Sequence, residues 1–401
     1  MTGAPGRGEP DGAVVEALDL PPTGTGVLDG VTVSAKEIFE IAGRPRRTGG
    51  NVILDGVPAV DSRALQQLRA AGAHVTTRST SHEFAWGITN RRSDGSGTVN
   101  PRWPNRVSGG STGGATALVA AGLVDVGLGS DTAGSTRIPP AFCGVYGWKA
   151  SNGAVSLDGC LPLAPRFDSV GLVAGDPRLL QRGAAALGMT APGRAATASL
   201  RIAVLDPEMW APVDSERSDA LMTLARQLGA EQSVEISDPS TVFTMFTVLQ
   251  SVEVLRAHRD VLRTWPARAH EYPSFVRDRL ASAEGIPTSV LEAAEHDLAV
   301  VQSTASAWWD RCDVVLSVLP CGPSTVSTPD VIDTPAGRRP LREVLVPWTC
   351  LANMIGVPAA VAPVGVDATG LPIAAHLISR PGSDTLLLDL LAERFAPVPP
   401  A

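Results

Sequence analysis

Side chains of types that together can activate a hydroxyl stand at Ser111 and Ser135 and at the two lysines, Lys36 and Lys149. Ser111 sits in "GGSTG" (109–113) and Ser135 in "DTAGSTR" (131–137), runs of small residues that leave a side chain uncrowded. Both lysines stand out by composition, because Lys36 and Lys149 are the only ones among 33 basic residues. Arginine does not release its proton in a protein, whereas a buried lysine can become a neutral base. A serine hydroxyl needs such a base to take its proton as it attacks a carbonyl.

The G-x-S-x-G pattern at 109–113 is that of a nucleophile elbow, which would make Ser111 the attacking residue. An elbow requires an apolar strand directly before its serine, yet "NPRWPNRVS" carries two prolines and two arginines. The same glycines could cradle a phosphate, but no G-K-[ST] follows them. Six histidines, at 74, 82, 258, 270, 296 and 376, offer a Ser-His-Asp alternative. None lies in a loop-like motif, and His376 falls in an apolar strand pattern that suits a hydrogen-bonded core residue. For Lys36 the competing reading is a surface lysine paired with Glu37.

These residues need a scaffold. With 401 residues and 44% apolar content, the chain can bury an extensive core. Residues 1–24, rich in Gly and Pro, are expected to be a mobile lead-in, followed by one domain over 25–401. "GVLDGVTVSAKEIF" predicts a strand ending close to Lys36, and "DSRALQQLRAAGAHV" a helix capped at Asp61 or Ser62 and stopped at Gly72. The stretch from 107 to 137 reads as loop, helix ("ATALVAAGL"), strand ("VDVGLGSD") and loop, with both serines on the loops. Downstream, strands are expected at 200–206, 312–320, 356–365 and 371–379, with helices at 215–228 and 286–309. The last two strands join through "DATGLP" as an antiparallel hairpin. The alternation favours an α/β fold: a single large domain with a mixed β-sheet core covered by helices.

The formal net charge of −8 and the absence of a basic block argue against nucleic-acid and membrane-surface partners. Five cysteines without C-x-x-C spacing argue against a zinc site or a disulfide framework. The N-terminal residues lack the pattern of a secretory signal and no stretch is long enough to span a membrane, so a soluble, cytoplasmic protein is expected.

Lys36 in "GVTVSAKEIFEIAGRPRRTGG", "GGSTGGA" and "SDTAGSTRIPPAFCGVYGWK", in that order, resemble the amidase signature family, as do "RFDSVG" and "GLPIAAHLISRP" further on. The resemblance covers most of the chain, with the region from about 210 to 345 contributing little. It implies Ser135 as nucleophile, Ser111 as bridging serine and Lys36 as base, with a cis Gly110–Ser111 peptide bond. The "DTAGS" turn would aim the backbone N–H groups of Thr132, Ala133, Gly134 and Ser135 at the oxyanion. Gly110, Asp131 and Arg137 would support the turns structurally, Asp168 would serve the scaffold, and Lys149 would be an anchor. No cofactor and no metal are required by this chemistry. Ala133 stands where a glycine is usual, Thr112 and Ala115 where serines are, and Ser108 where proline is common.

The implied activity is hydrolysis of a small carboxylic amide through a seryl acyl-enzyme, most like that of the short indoleacetamide-type amidases. The alternatives are the amidase-like subunit of a tRNA-dependent amidotransferase, an amide-forming acyltransferase, and a noncatalytic accessory protein of the same fold. The expected partner is a small-molecule amide, with a homodimer left open. Trp210, Phe243, Phe246 and Trp265 are candidates either to line its pocket or to fill the core, with core the favoured reading.

Overall fold

Alternation in "TVSAK" builds strand β2 (Thr32–Lys36), on which Val33 and Ala35 are fully buried and Lys36 is the last residue. The computed structural model describes residues 9–189, 197–205 and 213–401, so Trp210 lies outside the described residues. The other strands of the same sheet are β1 (Val14–Leu20), β3 (His74–Ser79), β4 (Val126–Asp131), β5 (Tyr146–Lys149) and β6 (Ser169–Ala174). They continue with β7 (Ile202–Leu205), β8 (Gln232–Val234), β9 (Val314–Val318), β10 (Ala359–Val366) and β11 (Pro372–Ser379). Their order is β1-β3-β2-β4-β6-β5-β10-β11-β9-β7-β8.

The sheet is mixed. β2 runs parallel to both β3 and β4, and β7 parallel to β8 and β9, while β4–β6, β5–β6, β5–β10 and β10–β11 are antiparallel. One large apolar cluster runs along it and includes Leu128, Leu172 and Trp148, each fully buried. Truncating such a leucine to alanine costs about 2–5 kcal/mol. All eight residues of the Gly113–Ala120 helix are buried, and Ala117, Leu118, Val119 and Ala120 form a smaller apolar cluster with Val124, Cys143, Val145 and Val173.

The helices at Arg63–Ala70 and Ser215–Leu228 and the antiparallel β10–β11 hairpin fall where the sequence predicts them. The helix predicted over 286–309 runs from Thr288 to Ser306 and tightens into a short turn, Ala307–Asp310. Within the span expected as a lead-in, Val14–Leu20 forms β1, which pairs antiparallel with β3. An edge strand needs few buried side chains: here Leu18 is buried and most of its neighbours are half-buried, a pattern that Gly and Pro on either side disguise.

Two helices that matter to the site carry prolines and were not expected. Ile138–Cys143 has Pro139 and Pro140 in its first turn, where their missing N–H groups cost nothing. Leu341–Met354 holds Pro347 internally and brings Thr349 and Asn353 against the β4 turn.

Candidate active site

Lys36 ends β2 and Ser130 and Asp131 end β4, its parallel neighbour, so the two strands deliver their last residues to one edge of the sheet. Ser111 arrives on the loop before the Gly113–Ala120 helix, through a cis Gly110–Ser111 peptide. No strand leads directly into it, so the elbow geometry is absent among the described residues. Gly129 permits the approach of the two serine loops: a Cβ there would lie 2.5 Å from Thr112 Cγ2 and 2.9 Å from Thr136 Cγ2.

The three side chains form a continuous chain. Lys36 Nζ donates to Ser111 Oγ over 2.7 Å, and Ser111 Oγ donates to Ser135 Oγ over 3.0 Å. Lys36 and Ser111 are fully buried, whereas Ser135 keeps 7% of its surface exposed, at the open end of the relay. Ser130 Oγ, which the sequence did not single out, accepts a second hydrogen bond from Lys36 Nζ at 3.0 Å. Burial brings Lys36 down from 10.5 to about 8, against the opposing pull of Cys160 and the carboxylates of Asp131, Asp168 and Glu37. The expected competitor, a Lys36–Glu37 ion pair, does not form: the fully buried Glu37 carboxylate pairs with Arg47 and Arg92 instead.

Asp131 organises the turn that carries Ser135. Its carboxylate accepts from Gly134 N at 2.8 Å, Thr136 N at 2.9 Å, Asn353 Nδ2 at 3.0 Å and, twice, from Arg137. Burial alone would raise its pKa, but the Arg137 charge and these hydrogen bonds hold it well below the usual carboxylate range. Arg137, equally buried, also donates to Thr349 O, Asn353 Oδ1 and His376 Nε2. Burial and the Arg137 charge keep His376 neutral, so it is the core acceptor expected and not a base.

Of the four backbone N–H groups expected at the oxyanion position, that of Gly134 is corrected, because it is bound to Asp131. Those of Thr132, Ala133 and Ser135 have no hydrogen-bond partner among the described residues. The positive φ of this turn falls on Gly134 (116°) and not on Ala133, so an alanine occupies position 133 without backbone strain.

Asp168 holds the same turn from behind, accepting from Thr132 Oγ1 at 2.5 Å and from the N–H groups of Leu163 and Ala164. Lys149 is an anchor, donating to Ala150 O, Asn152 Oδ1 and Val357 O. Of the aromatic candidates, Phe246 and Trp265 are core, Phe246 packing on Phe167. Phe243 lines a cavity of about 510 Å³ together with Pro347 and Trp348. Among the described residues no three His, Cys, Asp or Glu side chains converge as metal ligands, and no helix is long and apolar enough to cross a membrane.

The sequence model of the Amidase family matches residues 16–388. The chain belongs to that family. Amidase membership makes it an enzyme that hydrolyses carbon–nitrogen amide bonds. Among relatives, it is 31% identical over 407 residues to a glutamyl-tRNA(Gln) amidotransferase subunit of Anaeromyxobacter sp. (strain K), covering 90% of this chain and 81% of that one. It is 29% identical over 384 residues to indoleacetamide hydrolase of Pseudomonas savastanoi, covering 90% and 82%. The fold matches a crystal structure described as an amidase with a TM-score of 0.82 at 28% identity, over 92% of this chain and 84% of that one.

Proposed function

We propose that this Amidase hydrolyses a small carboxylic amide through a seryl acyl-enzyme, with Ser135 as nucleophile, Ser111 as proton relay and Lys36 as base. The observation that carries the reading is the unbroken 2.7 Å and 3.0 Å hydrogen-bond chain from Lys36 through Ser111 to Ser135. Ser135 Oγ bonds to the amide carbon, its proton moves to Ser111 Oγ, and the Ser111 proton moves to Lys36 Nζ. The tetrahedral oxyanion is met by the free N–H groups of Thr132, Ala133 and Ser135. A proton returns along the same path to the leaving nitrogen, the C–N bond breaks, and water then enters by the reverse sequence to release the acid. We place this chemistry in a cytoplasmic setting, where free cysteines stay reduced.

The similarity to an amidotransferase component supports a second reading, release of ammonia from an amide for a partner protein, because the 31% and 29% identities hardly differ. Ammonia release from a simple amide by the chain alone favours the first. The experiment that tests the nucleophile is labelling with a fluorophosphonate serine probe and peptide mass mapping. The expected adduct is on Ser135 and is lost in Lys36→Met. An adduct on Ser111 would reassign the nucleophile, and no adduct would remove Ser135 as an activated nucleophile.

A further inference from the structure

Beyond Lys36, the chain leaves the end of β2 and turns past a narrow cavity that the relay does not use. Ile38, Glu40, Arg46, Arg47 and Arg78 are among the residues that line it. It leaves about 10 Å³ for the centre of a water-sized sphere, room for one water or one monatomic ion and none for a polyatomic acid.

Arg78 is the most deeply buried cation in this wall, with 1% of its surface exposed. It lies on β3 opposite Ala35, one residue before Ser79, which pairs with Lys36. Its Nη2 donates to Glu37 O at 2.9 Å and to Pro45 O at 3.0 Å. Nε and Nη1 have no hydrogen-bond partner among the described residues. A buried charged donor without an acceptor carries its full desolvation penalty, so the site calls for one.

The neighbouring carboxylates are committed elsewhere. Glu37 accepts from Arg47 with Oε2 and from Arg92 and Ser81 N with Oε1. Glu40 pairs with Arg46 at 2.6 Å and Glu16 with Arg44 at 2.7 Å. Asp55, further along the same segment, is exposed and pairs with Arg268. Burial and then the Arg47 charge bring Arg78 down from 12.5 to about 10, and the more distant charges of Glu37 and Glu16 offset this only in part. The guanidinium groups of Arg44, Arg46, Arg47, Arg78 and Arg92 thus share the carboxylates of Glu16, Glu37 and Glu40, which leaves the cluster with an excess of positive charge.

We propose that the cavity beside Arg78 is a halide site, holding one chloride ion that accepts a hydrogen bond from an unpartnered Arg78 N–H, with Arg46 and Arg47 in its wall. Water also accepts from a guanidinium, but a neutral molecule leaves the excess charge in place, whereas chloride offsets it in a setting where water screens little. Because Arg78 also holds Glu37 O, the ion braces the strand end that delivers Lys36. Its contribution is to the stability of that edge of the sheet, and it takes no part in the proton path.

Thermal unfolding at constant ionic strength, in sodium chloride, sodium bromide or sodium gluconate, reads the site. Either halide is expected to raise Tm by about 1–3 °C over gluconate, since an ion bound only by the folded chain stabilises it by mass action. In Arg78→Met the halides and gluconate give the same Tm. Crystals of the unaltered protein soaked in bromide are expected to show an anomalous peak in the cavity, within hydrogen-bond reach of Arg78 Nε or Nη1; this measurement stands even if Arg78→Met does not fold. Equal Tm in chloride and gluconate overturns the inference, as does a halide effect that survives in Arg78→Met. A water in the cavity with no bromide peak overturns it as well.

Discussion

Lys36 Nζ donates to Ser111 Oγ over 2.7 Å with both side chains sealed from solvent, while the adjacent Glu37 is turned to arginines on another face. The direct partners of the lysine are therefore hydroxyls, while the more distant charges of Asp131, Asp168 and Glu37 only partly offset the effect of burial. Only its neutral form can take a proton from Ser111.

The pH dependence follows with a definite sign. Lys36 has a folded-state pKa lowered to about 8, so below that value the ammonium form grows and the base is lost. The plot of kcat/KM against pH falls toward acid by about tenfold per unit below the Lys36 pKa and levels off above it. A profile that stays flat through neutral and acidic pH would contradict the neutral-lysine requirement.

Removing relay members should be non-additive. Ser135→Ala is expected to cost about 10⁶ in kcat, and Ser111→Ala and Lys36→Met about 10²–10⁴ each. The double variant Ser111→Ala/Lys36→Met should be no slower than the slower single, because one interrupted proton path cannot be interrupted twice. Single-turnover acylation rates measure this. Multiplied effects would mean that Ser111 and Lys36 serve separate steps.

The Asp131–Arg137 pair predicts a stability effect distinct from catalysis. Both side chains are fully buried, and the Arg137 charge holds the Asp131 carboxylate well below its usual range. Arg137→Met leaves a buried carboxylate without its cation and should destabilise the fold by about 3–5 kcal/mol. Asp131→Asn/Arg137→Met should cost less than the two single changes added together. Urea unfolding of the four proteins decides; additive losses would show that the pair does not act as a unit.

How much of this was legible in the sequence depended on distance along the chain. Ser111 and Ser135 stand in short runs of small residues and Lys36 is one of two lysines, but it is the ordered resemblance of three segments to a known family, not any one local pattern, that joined them. The 107–137 order of loop, helix, strand and loop follows from local patterning. Thr349 and Asn353 carry no such signal, because each reaches the site from a helix in which its neighbours serve the packing. Asn353 meets Asp131 across 222 positions of sequence, and nothing in "TCLANMIG" points back to the turn. The Leu341–Met354 helix was itself hidden by Pro347, and β1 by its flanking glycines and prolines. The expected Gly134 oxyanion donor failed for a related reason: its N–H is claimed by Asp131, three residues away in sequence, only once the turn is folded.

Gly134 gives the sharpest local test of the turn. Its φ of 116° lies in the left-handed region, and a Cβ there would stand 2.7 Å from Cβ and Oγ1 of Thr349. Thr349 cannot simply retreat, because its Oγ1 donates to Ala133 O at 2.5 Å and its carbonyl accepts from Arg137 at 2.7 Å. Gly134→Ala should therefore cost about 1–3 kcal/mol in unfolding free energy through backbone strain. It should also lower kcat more than it raises KM, since the displaced N–H groups of Ala133 and Ser135 are needed most when charge develops on the oxygen. Steady-state kinetics on a single amide read the split. A variant with unchanged kcat would mean that the Gly134 turn is not the part of the site that meets the oxyanion.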